Sequence, residues 1–324
     1  MIQLLPGQNE AIGRYLSNQA FLLPGETIQS TAKAGEGNMN VTILVTTNQR
    51  QFILKQSRAF VAKYPSIPAP IERIEVEYRY LSETNADPEL AKLNPAVLHY
   101  DKPNHTLVLE FIESAEDMVY VYEQDRSISR AQLRELLTYL SRLHRLNIRN
   151  FPANDALKQV NAAHIFELPF DPENGFPLDD FMPGLANVAY KYQYDTALRA
   201  RAAALGERYR AGGRQLIHGD FYPGSFMRKK GATFVIDGEF AHRGLPEFDL
   251  GVLMAHLLLS EAEPELIAEI DRAYEKPPTF SAKLTRDFCY VEVIRRLIGI
   301  AQLPLSLTLA QRKSLLEQAR IGLS

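Results

Sequence analysis

The stretch LIHGDFYPGSFM, residues 216–227, decides how this sequence is interpreted, together with TFVIDGEF at residues 233–240. Each stretch is a short apolar run that ends abruptly in a carboxylate next to glycine: Asp220 in the first, Asp237 and Glu239 in the second. Strands with apolar residues on both faces are buried, so their last residues emerge at an interior edge. We therefore expect the three carboxylates to converge at one site.

Carboxylates that converge in this way need a cation. They repel one another unless a metal ion or a proton lies between them. Mg²⁺ prefers hard oxygen ligands of this kind, particularly together with phosphate oxygens. A single Asp-Gly pair would indicate an ordinary hairpin turn, but two pairs 17 residues apart, each after an apolar strand, favour a functional site.

Length and charge narrow the class of protein. The chain has 324 residues, with 36 Lys and Arg against 39 Asp and Glu, which gives a formal net charge of −3. This length exceeds what one compact core usually fills and predicts two lobes. The near-balanced charge provides no basic footprint for nucleic acid, so no nucleic-acid partner is expected. The single cysteine, Cys289, cannot form an internal disulfide, which fits a reducing compartment.

Targeting and membrane signals are not found in the sequence. The N-terminus, residues 1–6, has no basic region followed by a long apolar stretch, so it does not predict a signal peptide. The most apolar run, residues 251–259, is shorter than the roughly 20 residues that span a bilayer. We therefore expect a cytoplasmic protein with no membrane partner.

The first third of the chain predicts a small antiparallel sheet with one helix. Alternating β-branched residues and short turns predict the strands, and apolar residues three or four apart predict the helix. The expected order is strands at residues 28–34, 41–47 and 51–56, a helix at 72–83, and strands at 96–100 and 106–112.

Helical periodicity dominates after residue 113. Leucines spaced three and four apart predict a helix over residues 128–146, with Ser129 as its N-cap. Residues 150–177, rich in Asn, Pro and Asp, predict a long irregular connection. Further helices are expected at 179–211 (two helices), 248–260, 263–274, 281–301 and 308–321. The expected fold class is α+β, with an N-lobe at residues 1–112, a hinge near 110–116 and a mainly helical C-lobe at 113–324.

Two features of the N-lobe are candidates for phosphate binding. The stretch AGEGNMN, residues 34–40, is a glycine-containing turn whose peptide N–H groups could approach a phosphate, although a plain hairpin explains it too. Lys55 ends the third predicted strand and could point beneath this turn, although edge lysines also discourage aggregation. Glu75 and Glu77 on the next helix are both candidates to pair with Lys55. No GxxxxGK[ST] pattern occurs, so the turn is not a Walker A loop.

Taken in order, these pieces resemble the protein-kinase-like small-molecule kinases. The order is a glycine turn, a third-strand lysine, a helix glutamate, a His-Gly-Asp block and a downstream acidic pair. His218-Gly219-Asp220, with the polar Ser225 five residues beyond the aspartate, resembles the aminoglycoside phosphotransferase and choline kinase group. The resemblance covers nearly the whole chain. It implies a bilobal protein-kinase-like fold and ATP-dependent phosphoryl transfer.

Within that group the sequence is most similar to the methylthioribose kinase family. Residues 35–40, GEGNMN, resemble the family's Gly-Asp-Gly-Asn-Leu-Asn turn, and residues 224–225 match the Gly-Ser that ends its catalytic block. Residues 237–240, DGEF, resemble its Asp-Pro-Glu-Phe metal motif, and residues 295–296 its paired arginine. The chain differs at residues 221–222, where Phe-Tyr replaces the usual Leu-His, and the metal motif has Gly in place of Pro. The phosphate and metal motifs are therefore retained, while the acceptor side differs.

The resemblance implies a role for each matched residue. Asp220 would accept a hydrogen bond from the acceptor hydroxyl and align it with the γ-phosphate. Asp237 and Glu239 would bind Mg²⁺, with Ser225 near the metal or the phosphates. Lys55 would hold the α- and β-phosphates, and Glu77 would orient Lys55. The nucleotide-binding positions are then Gly35, Gly37, Asn38, Lys55, Glu77 and the hinge residues Glu110 and Ile112, whose backbone would meet the adenine.

The paired arginines carry two interpretations. The resemblance places Arg295 and Arg296 beside the substrate and the transferred phosphate, with Tyr222 as a further substrate-binding position. Adjacent helical residues point about 100° apart, so the two cannot share one face. Glu292, three and four residues earlier, could instead form ordinary helix salt bridges with both. We expect at least one arginine to face the same site as Asp220.

The sequence thus predicts an ATP- and Mg²⁺-dependent kinase for a hydroxyl of a sugar-like small molecule. One alternative is a kinase for an amino alcohol or an aminoglycoside, but such cationic acceptors need an acidic pocket and the arginines argue against one. Another is a nucleotide-binding pseudokinase, which would have lost at least one of Lys55, Asp220 and Asp237, and all three are present. Members of the family often dimerise, so the resemblance also implies a homodimer, for which the sequence has no surface pattern.

Overall fold

The chain forms two compact units in a computed structural model that describes residues 2–35 and 39–324. One unit comprises the residues up to Ala115 together with Phe234–Phe240, and the other comprises Glu116–Thr233 and Ala241–Ser324. The short segment Phe234–Phe240 therefore belongs to the first unit, although it comes after Glu116–Thr233 of the second unit in the sequence. The lobe boundaries expected from the sequence, 1–112 and 113–324, stay predictions.

A five-stranded antiparallel sheet forms the first unit. Its strand order is β1-β2-β3-β7-β6, in which Lys55 lies opposite Thr42 on β2 and Leu107 on β7. A two-stranded hairpin, β4 with β5, and the helix α2 lie between β3 and β6 along the chain. The bounds are β1 Ile28–Lys33, β2 Val41–Thr47, β3 Gln51–Gln56, β4 Phe60–Val61, β5 Tyr64–Pro68, α2 Arg73–Thr84, β6 Val97–Asp101 and β7 Thr106–Glu110.

The first unit has a helix near the N-terminus, α1 (Asn9–Asn18), in addition to α2. The sequence predicted only α2. Ile12, Tyr15 and Leu16 lie on the buried face of α1 and pack with Phe52 and neighbouring sheet residues in one apolar core. The helix has a glycine in its interior and no side-chain hydrogen bond at its N-cap, so its sequence signal is weak. Tertiary packing rather than local propensity therefore stabilises α1.

Nine helices and four short strands lie in the described part of the second unit. α8 is buried along most of its length and packs against α10, with the rings of Phe248 and Phe288 5.4 Å apart. The helices are α3 Arg130–Leu143, α4 Asp155–Phe166, α5 Leu178–Phe181, α6 Leu185–Gln193, α7 Thr196–Ala211, α8 Pro246–Leu259, α9 Pro264–Ala273, α10 Ala282–Ile298 and α11 Leu309–Leu323. The strands are β8 Glu116–Asp117, β9 Gln215–Ile217, β10 Phe226–Lys229 and β12 His242–Gly244, and β11 (Ala232–Val235) leads back into the first unit.

The helix predictions are confirmed where capping and periodicity agree. They are wrong at α4 and at residues 179–211, where the three helices α5, α6 and α7 replace the expected two. Ser129 caps α3 in a capping box with Gln132, as its position before the leucine stripe predicts. The irregular connection expected at residues 150–177 instead contains α4. Asn154 is a residue type that favours N-caps, but here it has a left-handed backbone and makes no side-chain cap, and the buried face of α4 includes the polar Asn161, so the sequence lacks a continuous apolar stripe. The α+β class is confirmed.

Within the described residues, no helix has both the length and the apolar character needed to cross a bilayer.

Candidate active site

Lys55 lies at the centre of a charged cluster in the first unit. On β3, Phe52 and Leu54 are fully buried in the core, so strand alternation directs Lys55 to the opposite face of the sheet. Its Nζ donates a 2.5 Å hydrogen bond to Oε1 of Glu77 on α2 and another to Oδ1 of Asp237. A strand, a helix and a turn from far along the chain therefore contribute one side chain each.

The charge of Lys55 follows from these two partners. Burial alone would lower the pKa of Lys55, but the carboxylates of Asp237 and Glu77 raise it above its ordinary value, so the side chain is a cation. Glu75, the other glutamate considered on α2, pairs with Lys102 at 2.9 Å nearer the surface. Of the two glutamates, Glu77 is the one that contacts Lys55.

Glu239 lies beside a second buried cation, Arg73, which no sequence motif singles out. Nδ2 of Asn40 donates a 2.9 Å hydrogen bond to Oε2 of Glu239, and Nε of Arg73 lies 3.4 Å from the same oxygen. The fully buried guanidinium also donates to Oδ1 of Asn40 and to the carbonyl oxygen of Met39. Burial raises the pKa of Glu239 to about 8, although Arg73 opposes this. Arg73 thus ties the residues that follow the glycine turn to Glu239.

Gly238 allows α2 to approach this cluster closely. A Cβ atom at Gly238 would lie 2.3 Å from Cδ1 of Tyr80, which is on the same helix as Glu77 and is itself fully buried. A separation that short is a steric clash, so a side chain at this position would force the helix and the turn apart. Packing therefore requires glycine at position 238, where the family's metal motif has proline.

The oxygen donors of this cluster fit a hard divalent cation bound together with phosphate. Asp237 and Glu239 flank Gly238, and the Asp237 side chain is 38% exposed. Mg²⁺ in proteins commonly takes one or two carboxylates and completes its shell with phosphate oxygens and water. Within residues 2–35 and 39–324, no three His, Cys, Asp or Glu side chains are grouped to hold a metal by themselves.

Three of the other predicted nucleotide-binding positions, Gly35, Glu110 and Ile112, lie in or near β1 and β7. Gly35 is two residues beyond β1, whereas Gly37 and Asn38 lie outside the described residues. Glu110 is the exposed last residue of β7, and Ile112 is buried two residues later. The nucleotide-binding roles of these residues stay predictions.

In the second unit, a carboxylate on α8 holds the loop that follows β9. The peptide N–H groups of His218 and Gly219 donate to the two oxygens of Asp249 at 2.8 and 2.9 Å, and Nε2 of His144 lies 3.1 Å from Oδ2. Burial alone would raise the pKa of Asp249, but the hydrogen bond from His144 and its charge, with the His218 contacts, lower it. The buried Asp249 is therefore an anion that fixes the backbone directly before Asp220. It was missed because its partners lie 30 or more positions away in the sequence.

Asp220 follows this fixed backbone. Its side chain is 21% exposed, and Oδ1 lies 3.5 Å from Nη2 of Arg296 on α10. The hydroxyl of Ser225 donates to the main-chain carbonyl of Asp220 at 2.8 Å, which closes the loop between them. Burial raises the pKa of Asp220, and the charges of Arg296 and Arg295 oppose the increase. A partly buried carboxylate beside a guanidinium can accept a hydrogen bond from a hydroxyl.

Glu292 binds both arginines. Nη1 of Arg295 donates to its two oxygens at 2.9 and 3.0 Å, and Nε of Arg296 donates to Oε1 at 2.6 Å. All three side chains are buried. The helix salt bridges considered from the sequence therefore form, and Arg296 also reaches Asp220. Whether either arginine binds substrate stays a prediction.

Tyr222 covers Arg296. The guanidinium carbon lies 4.6 Å from the centroid of the tyrosine ring, a cation–π arrangement. A Cβ atom at Gly224 would lie 2.5 Å from that ring, so glycine is needed for the loop to fold over it. Behind Tyr222 lies the ring of His256 at 5.2 Å, and Nδ1 of His256 is 2.6 Å from the hydroxyl of Tyr122. No metal-ligand or catalytic spacing in the sequence pointed to His256 or Tyr122.

The predicted site residues therefore form two groups, one in each unit. Lys55, Glu77, Asp237 and Glu239 are together in the first unit, and the group around Asp220 is in the second. The convergence of Asp220 with the other two carboxylates stays a prediction.

Comparison with known proteins gives these groups a context. The sequence pattern of the phosphotransferase enzyme family matches residues 31–284. Methylthioribose kinase from Erwinia tasmaniensis is 24% identical over 83% of this chain and 80% of that enzyme. The chain spans 61% of the length of several other methylthioribose kinases that it matches.

Solved structures agree on the fold. A spectinomycin phosphotransferase in complex with ADP and spectinomycin has a TM-score of 0.56 at 12% identity, covering 98% of each chain. Choline kinase LicA from Streptococcus pneumoniae has a TM-score of 0.52 at 17% identity, covering 97% of this chain and 98% of that one. At these identities the likeness concerns the fold, and the predicted protein-kinase-like class is confirmed. Because the family pattern matches most of the sequence, this chain belongs to the phosphotransferase enzyme family.

Proposed function

We propose that this protein is an ATP- and Mg²⁺-dependent kinase that transfers the γ-phosphate to a hydroxyl of a small, sugar-like acceptor such as methylthioribose. The observation that carries the proposal is the cluster of Lys55, Glu77 and Asp237, a buried cation held between a helix carboxylate and a partly exposed one. Phosphoryl transfer depends mainly on positioned charge, and this cluster supplies it.

The first unit provides the nucleotide side. Lys55 binds the phosphates through its buried ammonium group, which Glu77 keeps charged and oriented. Asp237 and Glu239 would hold Mg²⁺, which when bound would neutralise charge on the phosphate oxygens. Arg73 and Asn40 hold Glu239 in place from the other side. The residues of this cluster therefore bind and orient, and they form no covalent bond with the substrate.

The second unit provides the acceptor side. Asp220 accepts a hydrogen bond from the acceptor hydroxyl and orients its oxygen for in-line attack. Asp249 fixes the loop, and Ser225 closes it on the far side of Asp220. Arg296 supplies positive charge 3.5 Å from Asp220, where a phosphate would carry negative charge.

Local charge favours a neutral or anionic acceptor over a cationic one. Arg295 and Arg296 balance the carboxylates of Asp220 and Glu292, so the group around Asp220 has no excess negative charge. Choline-like and aminoglycoside acceptors carry positive charge that an acidic pocket would have to match. For a pseudokinase, the intact set of Lys55, Asp220 and Asp237 argues against loss of activity.

Measurement of ADP release tests the proposal. The enzyme would be assayed with ATP and Mg²⁺ against methylthioribose, ribose, choline and spectinomycin, with EDTA as the metal-removal control. We expect methylthioribose or ribose to stimulate ADP release and EDTA to abolish it. Stimulation by choline or spectinomycin alone would support the cationic-acceptor alternative. Binding of ATP without stimulation by any of the four would favour the pseudokinase.

A further inference from the structure

The two carboxylates next to Arg296 share one edge of its guanidinium group. The edge formed by Nε and Nη2 is the one that can bind both oxygens of a single carboxylate through two parallel hydrogen bonds. Here Nε donates to Oε1 of Glu292 at 2.6 Å, while Nη2 lies 3.5 Å from Oδ1 of Asp220. The contact with Glu292 is short and the contact with Asp220 is longer than an ordinary charge-assisted hydrogen bond.

We propose that Glu292 is a positioning residue that restrains Arg296 and so keeps the carboxylate of Asp220 available to the acceptor hydroxyl. Without this restraint, the Nε–Nη2 edge would turn onto Asp220 and form a two-bond ion pair. A carboxylate held in that way has its oxygens directed at the guanidinium and is a poorer acceptor for the substrate. The kinetic consequence of this inference rests on the proposed function, whereas the structural restraint does not.

Glu292 is itself anchored, so it cannot follow Arg296 toward Asp220. Nη1 of Arg295 donates to both of its oxygens, at 2.9 and 3.0 Å. Nε2 of His256 lies 3.3 Å from Oε1. The side chain of Glu292 is 1% exposed, and burial of a carboxylate among three donors leaves it no alternative partner in water.

The hydrogen bonds that link Tyr122, His256 and Glu292 all donate toward Glu292. An ionised carboxylate only accepts hydrogen bonds, so the Nε2 atom of His256 that faces Glu292 carries the proton. In the neutral ring Nδ1 is then an acceptor, and the hydroxyl of Tyr122 donates a hydrogen bond to it at 2.6 Å. Burial, assisted by the charges of Arg296 and Arg295, lowers the pKa of His256 to about 4, so the ring is neutral at pH 7. Tyr122 therefore supports His256, and His256 supports Glu292.

Tyr222 restricts movement of the Arg296 guanidinium out of its own plane. Its ring covers one face of the Arg296 guanidinium at 4.6 Å, so the planar group can turn within its plane more easily than it can leave it. Rotation in this plane is the movement that would bring Nε, in addition to Nη2, onto the carboxylate of Asp220. The hydrogen bond from Nε to Glu292 is the contact that opposes it.

Carboxyl footprinting tests the restraint without an acceptor. Wild-type enzyme and the variants Glu292→Gln, Arg296→Gln and Glu292→Gln/Arg296→Gln would be labelled with a water-soluble carbodiimide and glycine ethyl ester, and labelling of Asp220 read by peptide mass spectrometry. We expect Glu292→Gln to reduce Asp220 labelling several-fold and the double variant to restore it. Glu207, whose side chain is 76% exposed, is the internal control and should label equally throughout.

The kinetic arm uses whichever acceptor stimulates ADP release. We expect Glu292→Gln to lower kcat by about a hundredfold, the effect of losing a general base, with the KM for ATP unchanged. The double variant should regain at least about tenfold of the lost kcat, because the unrestrained arginine is gone. Its KM for the acceptor should stay above the wild-type value. A purely structural role of Glu292 predicts the opposite, namely that the double variant is as slow as Glu292→Gln or slower.

Arg296→Gln keeps the inference testable if Glu292→Gln does not fold. This variant retains the pair between Arg295 and Glu292, and we expect it to label at Asp220 at least as strongly as the wild type. Weaker labelling of Asp220 in Arg296→Gln, or undiminished labelling in a folded Glu292→Gln, would overturn the proposal. If no acceptor is turned over but the labelling pattern appears, the restraint stands and the proposed function is what fails.

Discussion

The peptide N–H of His218 donates a 2.8 Å hydrogen bond to Oδ2 of Asp249, so the backbone two residues before Asp220 is tied to a buried carboxylate on α8. We expect Asp249→Asn to reduce kcat by about tenfold to a hundredfold, because an amide offers one acceptor oxygen where three donors converge. The free energy of unfolding should fall by about 2–4 kcal/mol. Urea titration and ADP-release kinetics measure the two effects. The surface variant Asp155→Asn is the control, and full activity in Asp249→Asn would contradict the assignment.

Replacement of the proposed base separates chemistry from nucleotide binding. Asp220→Asn keeps the shape of the side chain but removes its capacity to accept the acceptor proton, and we expect kcat to fall by about 10²–10⁴. ADP affinity, measured by calorimetry, should stay within about twofold, because the proposed phosphate-binding residue Lys55 and the proposed Mg²⁺ ligand Asp237 are unchanged. A variant that turns over normally would show that Asp220 is not the base.

The cluster around Lys55 predicts a non-additive stability effect. Lys55→Met leaves the carboxylate of Glu77 buried without its cation and should cost about 3–5 kcal/mol, as well as most of the affinity for ATP. Adding Glu77→Gln removes the stranded charge, so the double variant should recover a large part of the stability but none of the ATP affinity. Denaturant unfolding and ATP binding would be measured for both. Additive losses in the double variant would argue against the ion pair.

Close packing at Gly238 predicts a compensating pair of substitutions. Gly238→Ala places a methyl group 2.3 Å from Cδ1 of Tyr80, and we expect a loss of about 1–3 kcal/mol with weaker Mg²⁺-dependent ATP binding. Tyr80→Leu in the same chain removes the clashing ring and should restore part of both properties. Thermal unfolding and ATP titrations with and without Mg²⁺ provide the readout. Recovery in neither measurement would show that the cost arises elsewhere.

The buried imidazole of His256 predicts a pH dependence of stability. Burial lowers its pKa from 6.5 to about 4, so between these values the folded protein binds fewer protons than the unfolded chain, and stability rises with pH. The contribution is fully present above about pH 6.5 and is lost as the pH falls through about 4, by up to about 3 kcal/mol. His256→Gln should remove this slope. Urea unfolding of both proteins from pH 7 to pH 4 tests it, and parallel curves would contradict it.

Local signals predicted much of the fold. The strands β1, β2 and β3, the helix α2 and the capped helix α3 all combine a clear period with turn or capping residues, and each lies within a few positions of the expectation. Two of the helices that were missed, α1 and α4, have a glycine or a polar residue where the pattern needs an apolar or helix-forming one. Their helical state depends on what they pack against, which a single sequence does not display.

The candidate site divides in the same way. Asp220 and Asp237 follow strands and lie next to glycines, and Lys55 lies near the end of β3 in a recognisable order of motifs, so the positions of all three carry a sequence signal. Arg73 and Asp249 carry none, because what distinguishes them is the partners they meet far along the chain: Glu239 for the first and the loop at His218 for the second. Burial of a charged side chain is a property of the folded state and becomes visible only with its partners.

The discontinuous first unit has a consequence for synthesis of the chain. Lys55 meets Asp237 182 positions later, and Asn40 meets Glu239 199 positions later. During translation the sheet can form early, but the cations at Lys55 and Arg73 lack these carboxylates until residues 237 and 239 have left the ribosome. A nascent chain shorter than this has a lysine and an arginine facing an incomplete partner set, so completion of the first unit waits for a large part of the second.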